Sequence, residues 1–406
     1  WGYGKTIYVT HPNGYTTVYA HLSKFGKGIE GYVKKIQYKK KSYETGNIFL
    51  KPNEIPVEKG QVIAYSGSTG GFVAPHLHYE IRDTKTEKII NPMLFGIVPK
   101  DTISPKIKGV FIYPIADSSR INSSIKRTLL PLKKINATTY TTNRISASGA
   151  IGLSIQVYDQ LNYANNKNGI YSLKTIVNGH EIYHHNLETF SFAERKYINL
   201  LIDYSHFSKY KTRFQRTYKI KGNDLSIYKN LINNGVIPIK SGYNYTIEII
   251  ATDFKGNKST VKIPVKGTAS NTIFKKSKDT TAFKIESKKF HKFQQENVTI
   301  AFPKKTFYDD FYLDFSVENG IAKIHKPTIP LDKNFTLTFN VSKYSEAEKS
   351  KLFIANLNNE KYPNYQSTIK KDSTFYTRTK TLGKYSLIAD NQKPTIKLKN
   401  LKNEQW

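Results

Sequence analysis

The chain has 406 residues, 38% of them apolar and 13% aromatic, with no Cys and with 63 Lys and Arg against 31 Asp and Glu, a formal charge of +32. This length predicts two to four domains with cores of their own, and the composition excludes a disordered or fibrous chain. Without Cys there is no disulfide, thiolate metal site or Cys nucleophile, so any metal must be held by His and carboxylates.

The positive excess suits a polyanionic neighbourhood such as nucleic acid, an acidic membrane surface or an anionic cell wall. Lys, Asn, Ile and Tyr are abundant along the whole chain, so compositional drift is the stronger account of the charge. No apolar run approaches the ~18 residues of a membrane span, and no basic-then-apolar signal segment opens the chain. The first residues read as the middle of a strand and the last, Asn403-Glu404-Gln405-Trp406, carry no terminus-like tail; the expectation is a fragment of a longer protein.

Ile7-Tyr8-Val9-Thr10-His11 and Tyr15-Thr16-Thr17-Val18-Tyr19-Ala20 are β-rich runs joined by Pro12-Asn13-Gly14, which supplies the positive φ angles of a tight hairpin. Residues 25–58 form a Lys-rich excursion, read as a solvated insertion. Strand character returns at Gln61-Val62-Ile63-Ala64-Tyr65, followed by the Gly-rich loop Ser66-Gly67-Ser68-Thr69-Gly70-Gly71 and by Pro75-His76-Leu77-His78-Tyr79-Glu80-Ile81-Arg82. In a strand His76, His78, Glu80 and Arg82 share one face, while Leu77, Tyr79 and Ile81 share the other and are available to a core. Two imidazoles about 6.6 Å apart on one strand face can converge on one metal or substrate. Exposed histidines on a half-buried strand would spell the same letters.

The surroundings favour a site. Gly2-Tyr3-Gly4, His11, Asn13-Gly14, Tyr19-Ala20-His21-Leu22, Gly60 to Ala64, Ser66 to Gly70, Pro75 to Arg82 and Asn91-Pro92, in that order, resemble the lysostaphin-type (LytM-like) zinc endopeptidases of bacterial cell walls. The resemblance covers residues 1 to about 96. It implies a β-sheet catalytic domain that uses one zinc ion to hydrolyse peptide cross-links of peptidoglycan. It assigns His78 as a zinc ligand and His76 and His21 as the residues flanking the attacking water, His76 as general base and His21 as orienter of the water or stabiliser of the oxyanion.

The family's other two ligands sit in a His-x-x-x-Asp motif ahead of the hairpin. No His precedes His11 and the first Asp is Asp83, so these ligands are expected upstream, and the fragment by itself is expected to be inactive. Phe72-Val73-Ala74 also departs from the family's small Ser-Thr-Gly run and would reshape one wall of the substrate groove. Glu80 is either a partner for an imidazole N–H or an ion-pair residue with Arg82, and His11, beside the turn, is read as structural.

His180-Glu181-Ile182-Tyr183-His184 spells the His-Glu-x-x-His signature of another zinc protease class, which requires a helix. Tyr171 to Val177 is instead a β-run and Asn178-Gly179 a hairpin turn. On a strand residues four apart are about 13 Å distant, too far for one zinc with bonds of about 2 Å.

Asp101-Thr102-Ile103-Ser104-Pro105-Lys106-Ile107 recurs in outline as Asp390-Asn391-Gln392-Lys393-Pro394-Thr395-Ile396, each opening a β-sandwich. Residues 242–253 followed by Phe254-Lys255-Gly256-Asn257 resemble the last strands of Ig-like modules in bacterial surface proteins. Helix is minor: Ser191-Phe192-Ala193-Glu194 fits a capping box ahead of Tyr197, Leu200 and Leu201, and residues 345–352 fit one or two turns.

The expectation is therefore an all-β protein. It comprises a truncated LytM-like peptidase domain (1–98), an Ig-like β-sandwich (101–266), a linker (267–280), a second β-rich module (281–389) and the start of a further module (390–406). His206, His291 and His325 are scattered and read as incidental. The expected function is a zinc metalloendopeptidase, exported to the periplasm or cell envelope, acting on peptidoglycan peptides. Anionic wall polymers are a further candidate partner, and no nucleic acid is expected. The other reading is a non-enzymatic LytM-like factor that binds and regulates another wall hydrolase; the presence of His21, His76 and His78 together favours the enzyme.

Overall fold

The Asn13-Gly14 turn forms as its residues dictate, Gly14 taking φ of 85°, and it joins strands β1 (Lys5–Thr10) and β2 (Tyr15–Phe25) as an antiparallel hairpin. The computed structural model describes residues 2–71, 74–269 and 280–395. Strands make up 43% of it and helices 12%, so the protein is all-β. β2 also pairs with β3 (Ala64–Ser66) and β4 (His78–Asp83), and β4 pairs with β5 (Ile89–Ile90). The sixth strand of this sheet, Thr189–Phe190, comes from the next unit and pairs with β5. Asn91 then accepts a hydrogen bond from the Met93 amide at 3.1 Å and caps a short 3-10 turn over Pro92–Phe95.

Two local expectations change here. The insertion is solvated, yet it contains a helix, α1 (Lys27–Lys40), with no buried residue. Gly28 and Gly31 obscured it, since each glycine costs a helix interior about 1 kcal/mol. The strand expected over residues 61–65 shrinks to β3, because residues 62–63 run against the helix start, where the Gly26 amide donates to Ile63 O at 2.7 Å.

The second unit has a 13-stranded sheet folded over one core that includes Val110, Ile112, Leu153, Leu173, Ile247 and Ile263. One long strand, Ile145–Tyr158, serves both sides. Its first residues pair in parallel with Lys258–Gly267, and its later ones pair antiparallel with Lys106–Pro114. Between the two lies Gly149 at φ of 73°, where a Cβ would come 2.7 Å from Ser119 Oγ; only glycine permits this bend. The strands Asn244–Thr252 and Lys258–Gly267 form the hairpin expected around residues 254–257.

In the third unit, two five-stranded antiparallel sheets share a core that includes Phe302, Phe335, Phe339, Ile354 and Tyr385. The capping box at Ser191 does not form: Ser191 makes no side-chain cap bond, and Glu194 instead accepts from the Ser226 amide and hydroxyl. The box at Ser345 does form, on the helix Glu346–Lys351. Residues 270–279 of the expected linker and 396–406 of the expected further module lie outside the described residues. No helix among the described residues is long and apolar enough to cross a membrane.

Candidate active site

The register of the first sheet brings the histidines together. β2 and β4 align Ala20 opposite His78 and Val18 opposite Glu80, while His76 bridges to Gly67 beyond the strand end. Opposed residues share a face, so simple alternation would point His21 away from His76 and His78. The pairing of β1 with β2 slips by one residue between Lys5 and Ile7, and His21 there has φ of 59°. Such a bulge re-aims a side chain, and a non-glycine residue in left-handed conformation is a strain typical of functional sites. The His21 ring comes to 4.9 Å from that of His76 and 5.5 Å from that of His78, between centroids. All three sequence-assigned residues are thus in one cluster, with His21 buried.

Acceptors fix the tautomers of the three rings. His21 Nδ1 lies 2.9 Å from Thr69 O and His76 Nδ1 lies 2.9 Å from Ala74 O. A carbonyl only accepts, so each Nδ1 carries the proton and Nε2 is the basic nitrogen. His78 is reversed. Its Nε2 lies 2.6 Å from Glu80 Oε1, so Nε2 donates to the carboxylate and Nδ1 is the basic nitrogen.

Glu80 is the hub beneath them. It accepts from the Tyr3 hydroxyl at 2.6 Å and from Arg82 Nε at 2.7 Å, and Arg82 Nη2 lies 2.6 Å from its second oxygen. Burial opposes its charge, but the bonds from Tyr3, His78 and Arg82 outweigh that and hold the carboxyl below its ordinary value. Burial and the bond to Glu80 push the Tyr3 hydroxyl up to about 12, so it stays a donor. Both sequence alternatives for Glu80 are realised at once, imidazole partner and ion pair.

Its environment differs from expectation, because Glu80 and Arg82 are buried while Leu77, assigned to the core face, is 49% exposed. Arg82 is covered by Tyr8 and Phe192, whose ring centroids lie 5.3 and 4.9 Å from its guanidinium carbon. Phe192 belongs to the second unit.

Two contributors escaped the sequence reading. Tyr3 anchors Glu80 from the segment before β1. Thr69 orients His21 through its carbonyl, while its hydroxyl donates to Leu22 O and accepts from the Lys5 amide. The available signal was Gly4, with φ of 62° and an ideal Cβ only 2.4 Å from Thr69 atoms, which leaves room for this loop. His11 bonds Thr17 Oγ1 at 2.9 Å, a structural role. Phe72 and Val73 lie outside the described residues.

A zinc ion fits His78 in chemistry: a metal-binding imidazole commonly donates its other N–H to a carboxylate, which Glu80 provides. The three histidines do not form a three-ligand group, however. Among the described residues the group of possible metal ligands lying within 4.8 Å of one another is Asp101, Asp159 and Asp253.

His180 and His184 lie on the strand His180–Asn186. Lys174 Nζ donates to Glu181 at 2.8 Å, and His184 Nε2 lies 3.1 Å from Ser172 Oγ. His180 and His184 are therefore not expected to share a metal ion: replacing both with Ala should leave any bound metal of the protein unchanged, which metal analysis of the double variant checks, and a loss of metal would overturn this.

A family model of the Zu5-like domain matches residues 281–390. The chain is similar to the DD-carboxypeptidase/endopeptidase Mpg of Neisseria meningitidis serogroup B and of Neisseria gonorrhoeae, at 38% identity over 81 residues. That stretch is 20% of this chain and 13% of each relative, so the chain covers a small part of the curated relatives it matches.

Proposed function

We propose that the first unit is part of the catalytic domain of an envelope zinc endopeptidase that hydrolyses peptide cross-links of peptidoglycan. The carrying observation is the gathering of the His76 and His78 rings about that of His21, with tautomers that divide them two against one. The similarity to a DD-carboxypeptidase/endopeptidase supports a hydrolase related to the cell wall. His78, through Nδ1, is the ligand this chain would give to zinc, and a His and an Asp from a preceding segment would complete three protein ligands.

A bound zinc would polarise the scissile carbonyl and make water more acidic. The chain's own residues do the rest. His76, its Nδ1 proton tied to Ala74 O, accepts the water proton at Nε2 and returns it to the leaving amine. His21, tied to Thr69 O, directs its Nε2 at the water or, once protonated, at the developing oxyanion. Glu80 holds the His78 tautomer, and Tyr3 and Arg82 hold Glu80. The remaining units act as spacers or as wall-binding or partner-binding modules, with the positive charge suited to anionic wall polymers.

The test is turnover of purified peptidoglycan by the full-length protein, before and after chelation and with zinc restored. Release of new amino termini that stops on chelation and returns with zinc is the expected result. A folded protein that leaves peptidoglycan intact yet binds another wall hydrolase would establish the regulatory reading instead.

A further inference from the structure

The start of the second unit holds three buried carboxylates that the proposed chemistry does not use. Asp101 lies on the segment leaving the first sheet, Asp159 just after the long strand Ile145–Tyr158, and Asp253 at the hairpin after Asn244–Thr252. Their exposures are 7%, 4% and 3%. One ligand oxygen of each lies within 4.8 Å of the other two, and oxygens bound to one calcium at 2.3–2.6 Å can be no more than about 5 Å apart.

The second observation is a carboxylate oxygen in want of a partner. Asp253 is satisfied by the Asn257 amide at 2.9 Å and its side-chain nitrogen at 2.7 Å, and Asp101 Oδ1 accepts from the Ile103 amide at 3.0 Å. Asp159 Oδ1 is buried with no hydrogen-bond partner among the described residues. In a chain of charge +32, no Lys, Arg or His among the described residues forms an ion pair with any of the three. An unpaired buried charge is costly enough that it is normally neutralised or bound to a metal. A cavity of about 220 Å³ adjoins the cluster, lined by Asp101 and Asp159 together with Asn91 and Met93 of the first unit and Tyr171 of the second. It has room for water ligands.

We propose that Asp101, Asp159 and Asp253 bind one calcium ion at the junction of the first two units. The donor set is all oxygen, which selects a hard cation over zinc. Three carboxylates converging from separate loops suit the adaptable shell of calcium better than the near-ideal octahedron of magnesium, which keeps most of its waters. The ion offsets most of the cluster's charge and ties the connecting segment to the ends of two core strands. Burial and the neighbouring Asp101 push the Asp159 carboxyl up to about 6, consistent with a group that lacks its counter-ion.

The test uses the whole 406-residue chain, stripped with a chelator and titrated with calcium chloride. Calorimetry should give one calcium per chain, and Tm should rise by about 5–10 °C at a hundredfold excess over Kd, with a smaller rise in magnesium at equal concentration. Asp159→Asn should raise the metal-free Tm, because it removes a buried unpaired charge, and should weaken calcium binding at least tenfold; Asp253→Asn should weaken it similarly. His78→Ala should retain the full calcium response, which separates this site from the histidine cluster. No calcium-dependent rise in the unaltered chain, or an undiminished rise in both Asp variants, overturns the proposal. An equal rise in magnesium overturns the choice of calcium.

Discussion

Replacing His78 with Ala in the full-length protein is expected to remove bound zinc and hydrolysis together, whereas His76→Ala and His21→Ala should keep the metal and lower kcat by about 10²- to 10⁴-fold, the range a positioned acid or base contributes. The division rests on the roles proposed above; the nitrogen each ring leaves basic is compatible with it, since either nitrogen of a neutral imidazole can bind a metal. His78 turns its N–H to Glu80 and keeps Nδ1 for a ligand bond. His76 and His21 turn theirs to backbone carbonyls, which makes Nε2 the basic nitrogen of each. Metal analysis of the three purified variants beside peptidoglycan turnover reads the roles separately. Zinc loss in His76→Ala with retention in His78→Ala would reverse the assignment.

Glu80→Ala should be the most damaging change to the fold of the first unit, at about 3–5 kcal/mol, because it strands the buried Arg82 guanidinium without its carboxylate. Tyr3 and His78 lose their acceptor in the same step. Denaturant unfolding followed by circular dichroism measures the loss, and a cost below 1 kcal/mol would show that the network is not holding the sheet. The carboxyl is held below its ordinary value, which sets the sign of its pH dependence. Its contribution is fully present above the unfolded carboxylate value of about 4.3 and is lost as pH falls through the lower folded value. Glu80→Gln should therefore lose stability at neutral pH yet show a flatter acid limb than the unaltered protein.

Hairpins and strand identities were legible because they are written locally: Gly14 and the pair Asn178-Gly179 adopt positive φ angles in their turns, and Lys258–Gly267 alternates buried and open positions along its length. The spacing of His76 and His78 was equally local, and the structure brings each ring to His21. What alternation could not supply was the aim of His21, which depends on a one-residue slip between β1 and β2. The burial of Arg82 was invisible for another reason, since part of its cover, Phe192, lies more than a hundred residues away in sequence. Asp101, Asp159 and Asp253 fall under the same limit. Two of them sit in motifs recognisable as the beginning and the closing hairpin of a domain, but their meeting is a product of tertiary structure.

The strand Thr189–Phe190 has a bearing on where this protein can be divided. By pairing with β5 it occupies backbone donors and acceptors that would otherwise form an open sheet border, the kind of edge that recruits other chains and seeds aggregation. A fragment ended near residue 98 would bare that border and strip Phe192 from Arg82. The smallest soluble unit should accordingly be sought with the second unit attached, so that the sheet carrying the histidines has its guard strand supplied by the domain behind it.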